Sequence, residues 1–350
     1  SIVMMIFTSI YGVVDGLFVS NFVGKIPFAA INLVMPFIMI LGGFGFMIGT
    51  GGSALIAKTL GEGRHKLANR YFSMLIIMTV ILGFFLTTIG IVFARRVSIL
   101  LGATDVMLDD CVIYLRTVLL FISPFMLQNV FQSFLVTAQK PHAGLIVTII
   151  AGLTNMSLDA LFIVVFRWGV AGAALATGIS QCIGGLLPLI LFLGKNDSLL
   201  HLVPTRLEWR PFFLSCTNGM SELMGNISSS IVSMLYNFQL LNYAGENGIA
   251  AYGVLMYVQF IFIAVFFGYT IGVGPVIGYH YGAGNHAELK NLLRKSLKLN
   301  IITGISMTIL ANLFAGALSR IFVGYDPELY AMTKSAFHIF ALSFLVCGIN

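Results

Sequence analysis

Charge is scarce in this sequence. Of 350 residues, 19 are Lys or Arg and 13 are Asp or Glu, 9% in all. A water-soluble domain carries about 25% charged residues, because charge covers the surface that water wets. The shortfall excludes a cytosolic enzyme, a nucleic-acid-binding module and a disordered chain. Cysteine is scarce too. Cys111, Cys182, Cys216 and Cys347 stand alone with no CxxC pair, so neither zinc ligands nor a disulfide framework is indicated. No basic segment precedes the first apolar run, so no cleavable signal peptide is read. The sequence opens inside that run, as though its start were cut short.

What is present is apolar: 58% hydrophobic residues, including 30 Phe and 16 Met. A bilayer span needs about 20 predominantly apolar residues. Ten runs qualify, at roughly 1–20, 29–57, 70–94, 112–137, 143–166, 170–193, 212–242, 249–279, 292–322 and 330–350. Barrel strands would alternate over about ten residues, whereas these runs are continuous, so they are expected to be helices. The expected fold class is therefore an all-α polytopic membrane protein. Its immediate partner is the lipid bilayer; no nucleic acid is implied.

The loops differ in charge. The even-numbered ones hold twelve Lys/Arg and four acids, and include Lys58, Arg64, Lys66, Arg70, Lys140, Arg206, Arg210 and Lys290. The odd-numbered ones hold seven and six. The positive-inside rule then places the even loops and the amino terminus in the cytoplasm.

The sequence also matches itself at an offset of 221 residues. Gly61, Gly63 and His65 fall on Gly282, Gly284 and His286; Asn21 falls on Asn242, Asp105 on Asp326 and Asn129 on Asn350. Six spans separate the copies, an even number, so both face the same way across the membrane, as in transporters built from two parallel repeats. The expected organisation is a first lobe over 1–194, a cytoplasmic linker over 195–210 and a second lobe over 211–350. By this register the counterparts of 130–194 are absent. Two six-helix lobes, twelve helices in all, are expected of an intact protein, against about ten here.

Three carboxylates fall inside spans: Asp15, Asp159 and Glu222. A charge at the bilayer centre costs about 2.5–3.5 kcal/mol on insertion scales, so such residues face protein or a wet cavity and mark ion or substrate paths. Asn155 and Asp159 are spaced i, i+4 and share one helix face. An amide beside a carboxylate can hold a protonated acid or share a bare Na⁺ through oxygen. Tyr11 lies one turn before Asp15, and Asn226 one turn after Glu222. Asn129 and Gln132 make the fourth run polar on one side. These four residues and Glu222 are candidates for lining a substrate cavity, and Glu222 is so placed by burial and polarity alone. The acids outnumber Lys and Arg within the spans, which favours a cationic substrate. No HExxH or GxSxG motif supports a membrane enzyme, and no cofactor motif is present.

Several motifs, in this order, resemble those of the multidrug and toxic compound extrusion (MATE) transporters, in particular the MepA-like bacterial branch. They are Tyr11-Gly-Val-Val-Asp15-Gly-Leu-Phe-Val, Tyr114-Leu-Arg116, Asn155-x-x-x-Asp159, Gly169-Val-Ala-Gly-Ala-Ala-Leu-Ala-Thr177 and Gly282-Ala-Gly-Asn. The resemblance spans the whole chain. It implies two six-helix lobes around a cavity and a monomer in the bacterial plasma membrane. The implied activity is efflux of organic, often cationic drugs in exchange for H⁺ or Na⁺. It matches Asp15, Asn155, Asp159 and Thr177 to an ion-coupling cluster, able to take either ion, with Tyr11 close by, and Tyr114 to a residue of the substrate cavity. It carries no coupling role onto Glu222. The alternative is a flippase for lipid-linked oligosaccharide or peptidoglycan precursors, which would need a strongly cationic cavity.

Overall fold

Apolar runs of this length have one way to satisfy their backbone in hydrocarbon, and the chain takes it. The computed structural model describes residues 2–103, 105–194, 197–323 and 327–347, which are mainly helical with no strand among them. In order they form α1 (Ile2–Phe22), α2 (Lys25–Gly61), α3 (His65–Leu100), α4 (Leu108–Leu119), α5 (Ile122–Thr137) and α6 (Pro141–Asp159). A π-helix (Ala160–Val165) follows, then α7 (Gly169–Leu193), α8 (Trp209–Asn218), α9 (Met220–Gly282), α10 (His286–Val323), α11 (Pro327–Phe340) and α12 (Ser343–Cys347). Lys195, Asp326 and Asn350, used in the linker and repeat expectations, lie outside the described residues.

Among the described residues seven helical stretches are long and apolar enough to cross a membrane, or eight if the bent pair α4/α5 counts as one. They fall in eight of the ten expected runs, all but the first and seventh, and those two are helical as well, in α1 and in α8 with the start of α9. The seventh run is interrupted where α8 ends at Asn218 and α9 begins at Met220. The fourth run is broken as well, with a 57° bend between α4 and α5. Pro124 explains it, because a proline ring clashes with the carbonyl four residues earlier and cannot donate to it. The Leu119 carbonyl at the break is taken up by the Thr87 hydroxyl at 2.9 Å.

The helical run of α9 doubles back. A straight helix of its 63 residues would reach about 94 Å. Instead the rings of Tyr236 and Tyr252 stack at 5.5 Å, and the two ends of α9 lie along one helix, α2. The expected seventh and eighth runs are thus two limbs reversing between these tyrosines.

Helix α2 is the hub. A Cβ at Gly45 would come 2.7 Å from the Met126 carbonyl, and one at Gly49 would come 2.9 Å from Val130 Cα. Small residues on this side let α2 seat backbone to backbone on α5. Its other side meets α8 and both limbs of α9. There Gly61 abuts the Tyr279 carbonyl, while Gly282 abuts the Lys58 carbonyl. Gly61 and Gly282 are repeat mates at the offset of 221, and so are Lys58 and Tyr279. The two contacts are therefore one contact seen twice, as an axis between parallel repeats requires.

The segment 197–208 is non-helical and pinned to α3. His201 N–H donates to Asn69 Oδ1 at 3.1 Å, Val203 N–H to Ser73 Oγ at 2.8 Å, and Arg70 pairs with Glu208 at 3.3 Å.

Candidate functional site

Four helices of the first half each carry polar residues one turn apart on an otherwise apolar surface: Tyr11 and Asp15 on α1, Gln128 and Gln132 on α5, Asn155 and Asp159 on α6, Thr177 and Gln181 on α7. Helical periodicity puts each pair on one face. Packing α1, α5, α6 and α7 together turns these faces inward, into a seam inside the lobe.

Asp159 is wholly buried, and Asn155 is 2% exposed. Asp159 is the last α-helical residue before the backbone widens into the π-helix, a distortion common at functional sites. The Asp15 carboxyl interacts with both the Asp159 carboxyl and the Asn155 amide. Tyr114, 1% exposed, reaches in from α4 towards Thr177 and both acids. Tyr11 lies between Asp15 and Gln128. Yet Asp159 Oδ1 and Oδ2, Asp15 Oδ1, Asn155 Nδ2 and Thr177 Oγ1 are buried without a well-formed hydrogen bond. Among the described residues the ion pairs Arg64–Glu62 and Arg70–Glu208 involve neither acid.

The chemistry follows from that inventory. Two unit charges 4 Å apart repel by about 4 kcal/mol at an effective dielectric of 20. Two ionised carboxylates in such a place, with no Lys or Arg against them, call for a neutralising proton or cation. The oxygens of Asp15, Asp159, Asn155 and Thr177 form a hard donor set suited to a small cation, and the same carboxyls can take a proton. Among the described residues no group of three or more His, Cys, Asp and Glu side chains could hold a metal.

The structure thus brings Tyr11, Asp15, Tyr114, Asn155, Asp159 and Thr177 together. The other expected residues sit elsewhere. Asn129 is 2% exposed and donates its amide to the Gly42 carbonyl at 3.1 Å, bridging α5 to α2. Gln132 faces a small cavity inside the first half. Glu222 and Asn226 lie on the far side of α2, where the Asn226 amide donates to the Glu222 carbonyl at 2.8 Å and its Cβ sits near Gly43. Gln128 and Gln181 were not singled out from the sequence. Their signal was the one-turn spacing to Gln132 and Thr177, repeated on two helices.

Comparison with known proteins places this geometry. The MatE family profile matches residues 1–161 and 223–350. A curated relative, "Multidrug export protein MepA" of Staphylococcus haemolyticus, is 26% identical over 97% of this chain and 75% of its own length. The protein of that name from Staphylococcus saprophyticus is 28% identical over 81% of this chain, and the matched part spans 63% of that relative. A solved structure described as the outward-facing conformation of a multidrug resistance MATE family transporter superposes with a TM-score of 0.90 at 21% identity, covering 99% of this chain and 80% of that one.

Proposed function

The chain belongs to the MatE family, and from that premise we propose that it exports organic, often cationic drugs in exchange for H⁺ or Na⁺. The observation that carries the reading is the buried Asp15–Asp159 pair, with neither a basic partner nor a closed hydrogen-bond set. Such a pair holds a proton or Na⁺ when the site is shut and releases it when the surroundings change. The names of the MepA relatives, multidrug export proteins, support drugs as the cargo, and the acids within the spans support a cationic one.

The mechanism has two requirements. The ion and the drug must each bind the two states of the protein unequally, or no net movement follows. The first lobe, 1–194, houses the ion site. The second, 211–350, contributes Glu222 and Asn226 on the other flank of α2, where a drug cation would be held. The basic loops put the Gly61–Gly282 contact at the cytoplasmic face, with the amino terminus on that side of the plasma membrane. The lobes therefore touch backbone to backbone on the cytoplasmic side here, and transport requires that contact to open. The protein works as a monomer, since each lobe already finds its symmetry mate within the chain.

The test is Asp159→Asn in proteoliposomes, with a pH gradient and then a Na⁺ gradient imposed. Loss of gradient-driven export of a fluorescent cation is expected. Undiminished export under both gradients would remove the coupling role.

A further inference from the structure

The polar seam does not stop at the acid pair. It continues along α5, α6 and α7 into a cavity between those helices and α1, lined by Met4, Gln128, Gln132, Thr148, Gly184 and Pro188 among others. Gln128 is 7% exposed and Gln132 is 5% exposed, and the carbonyl Oε1 of each is buried without a partner. Gln181, 8% exposed, has an orphaned Oε1 as well, and so does the Thr177 hydroxyl beside the acids. Tyr11, one turn before Asp15 on α1, also interacts with Gln128 of the cavity lining. From Asp159 to Thr148 the seam descends about 16 Å along α6, and it ends near that helix's Pro141 end.

Packing does not explain these groups. An unpaired buried amide costs about 1–3 kcal/mol, and an apolar side chain of the same shape would remove that cost. Buried polar atoms in a polar niche are normally satisfied by ordered water. Three unpartnered amide carbonyls and a hydroxyl in line with an acid pair are also suited to a bare or half-hydrated cation, since all present oxygen.

We infer that this seam is a hydrated path. It carries the coupling ion from Asp15–Asp159 to the cytoplasmic face inside the first lobe, apart from the route the drug takes between lobes. Its occupants are water and either Na⁺ or a proton. In the proton case the carboxyl of Asp159 gives its proton to the first water, which hands one on, and the carboxylate is left behind. The inference rests on the coupling reading above for its cargo. The water-filled seam itself stands on the cavity and the orphaned amides.

Two measurements on the full chain test it. Hydroxyl-radical footprinting with isotopic water reads whether water reaches the cavity: Met4 and Phe131, both lining it, should be labelled. Gln128→Leu with Gln132→Leu should cut the labelling severalfold. In proteoliposomes the same double variant should slow ion flux roughly tenfold, the effect of about 1.4 kcal/mol on a barrier. Removing orphaned amides should not unfold the protein, and the single variant Gln132→Met guards against that outcome. Unlabelled Met4 and Phe131 in the unaltered protein, or labelled residues with an undiminished flux in the double variant, would overturn the path. Failure of the coupling reading looks different: Asp159→Asn would keep its gradient dependence while the footprint stayed as before.

Discussion

Replacing Gly282 with alanine should push the two lobes apart at one end. The added Cβ would overlap the Lys58 carbonyl oxygen, and it would sit 2.7 Å from Lys58 C and 2.9 Å from Lys58 Cα. Ordinary carbon contacts begin near 3.4 Å, so α2 and α9 must separate by at least about half an ångström, and by more to clear the oxygen. The obstacle is backbone inside a helix, not a side chain that can swing away. Overpacking of this sort costs about 1–3 kcal/mol. A bias of that size shifts an equilibrium between closed and open lobes by about 5–150-fold. Gly61→Ala meets the Tyr279 carbonyl by the repeat-related contact and should act alike. The two changes should fall short of additive, because one separation relieves both clashes. The assay is a distance distribution between spin labels at Lys66 and Lys290, exposed just beyond the two glycines. The longer-distance population should grow in Gly282→Ala. Gly225→Ala is the control, since nothing lies within 4 Å of its added Cβ. An unchanged distribution in Gly282→Ala, with transport intact, would refute the idea that this contact is the closed gate.

Other outcomes follow from the same geometry. Thr177→Val removes one oxygen of the ion site at nearly constant shape. It should weaken ion dependence of transport about tenfold or less without lowering thermal stability, as a neutral hydroxyl ligand contributes about 1 kcal/mol; gradient titrations in vesicles check it. Thr87→Val strips the Leu119 carbonyl of its partner at the α4–α5 bend and should cost about 1–3 kcal/mol of stability, read by thermal unfolding in detergent. Asn69→Ala with Ser73→Ala frees the backbone N–H groups of His201 and Val203 and should speed proteolytic nicking within 197–208. Arg70→Ala, by contrast, breaks an exposed ion pair worth at most about 1 kcal/mol and should leave nicking nearly unchanged.

Much of the candidate site was legible because carboxylates are costly in hydrocarbon. Asp15 and Asp159 announced themselves in apolar runs, and the one-turn spacing to Tyr11 and Asn155 gave their faces. Amides carry a weaker signal. Gln128 and Gln181 resemble ordinary interhelical contacts until four helices bring them into one seam, and only packing reveals that. Asn129 shows the converse: a polar residue expected in a cavity holds α2 against α5 instead. The repeat was legible at Gly61 and Gly282 because only glycine permits two backbones to meet there, and the structure joins those mates directly. Breaks inside the runs were less legible: hydropathy averages over a run, so it passed over the bend at Pro124 and the interruption at Gly219, both of which depend on single residues.

The central claim is that the Asp15–Asp159 pair couples ion to drug. It is tested most directly by measuring the affinity of a fluorescent cation for the purified full chain while H⁺ and Na⁺ are varied, in the unaltered protein and in Asp159→Asn. The account predicts that drug affinity falls as the coupling ion rises in the unaltered protein and becomes independent of it in Asp159→Asn. Ion-dependent affinity that survives unchanged in that variant would contradict it.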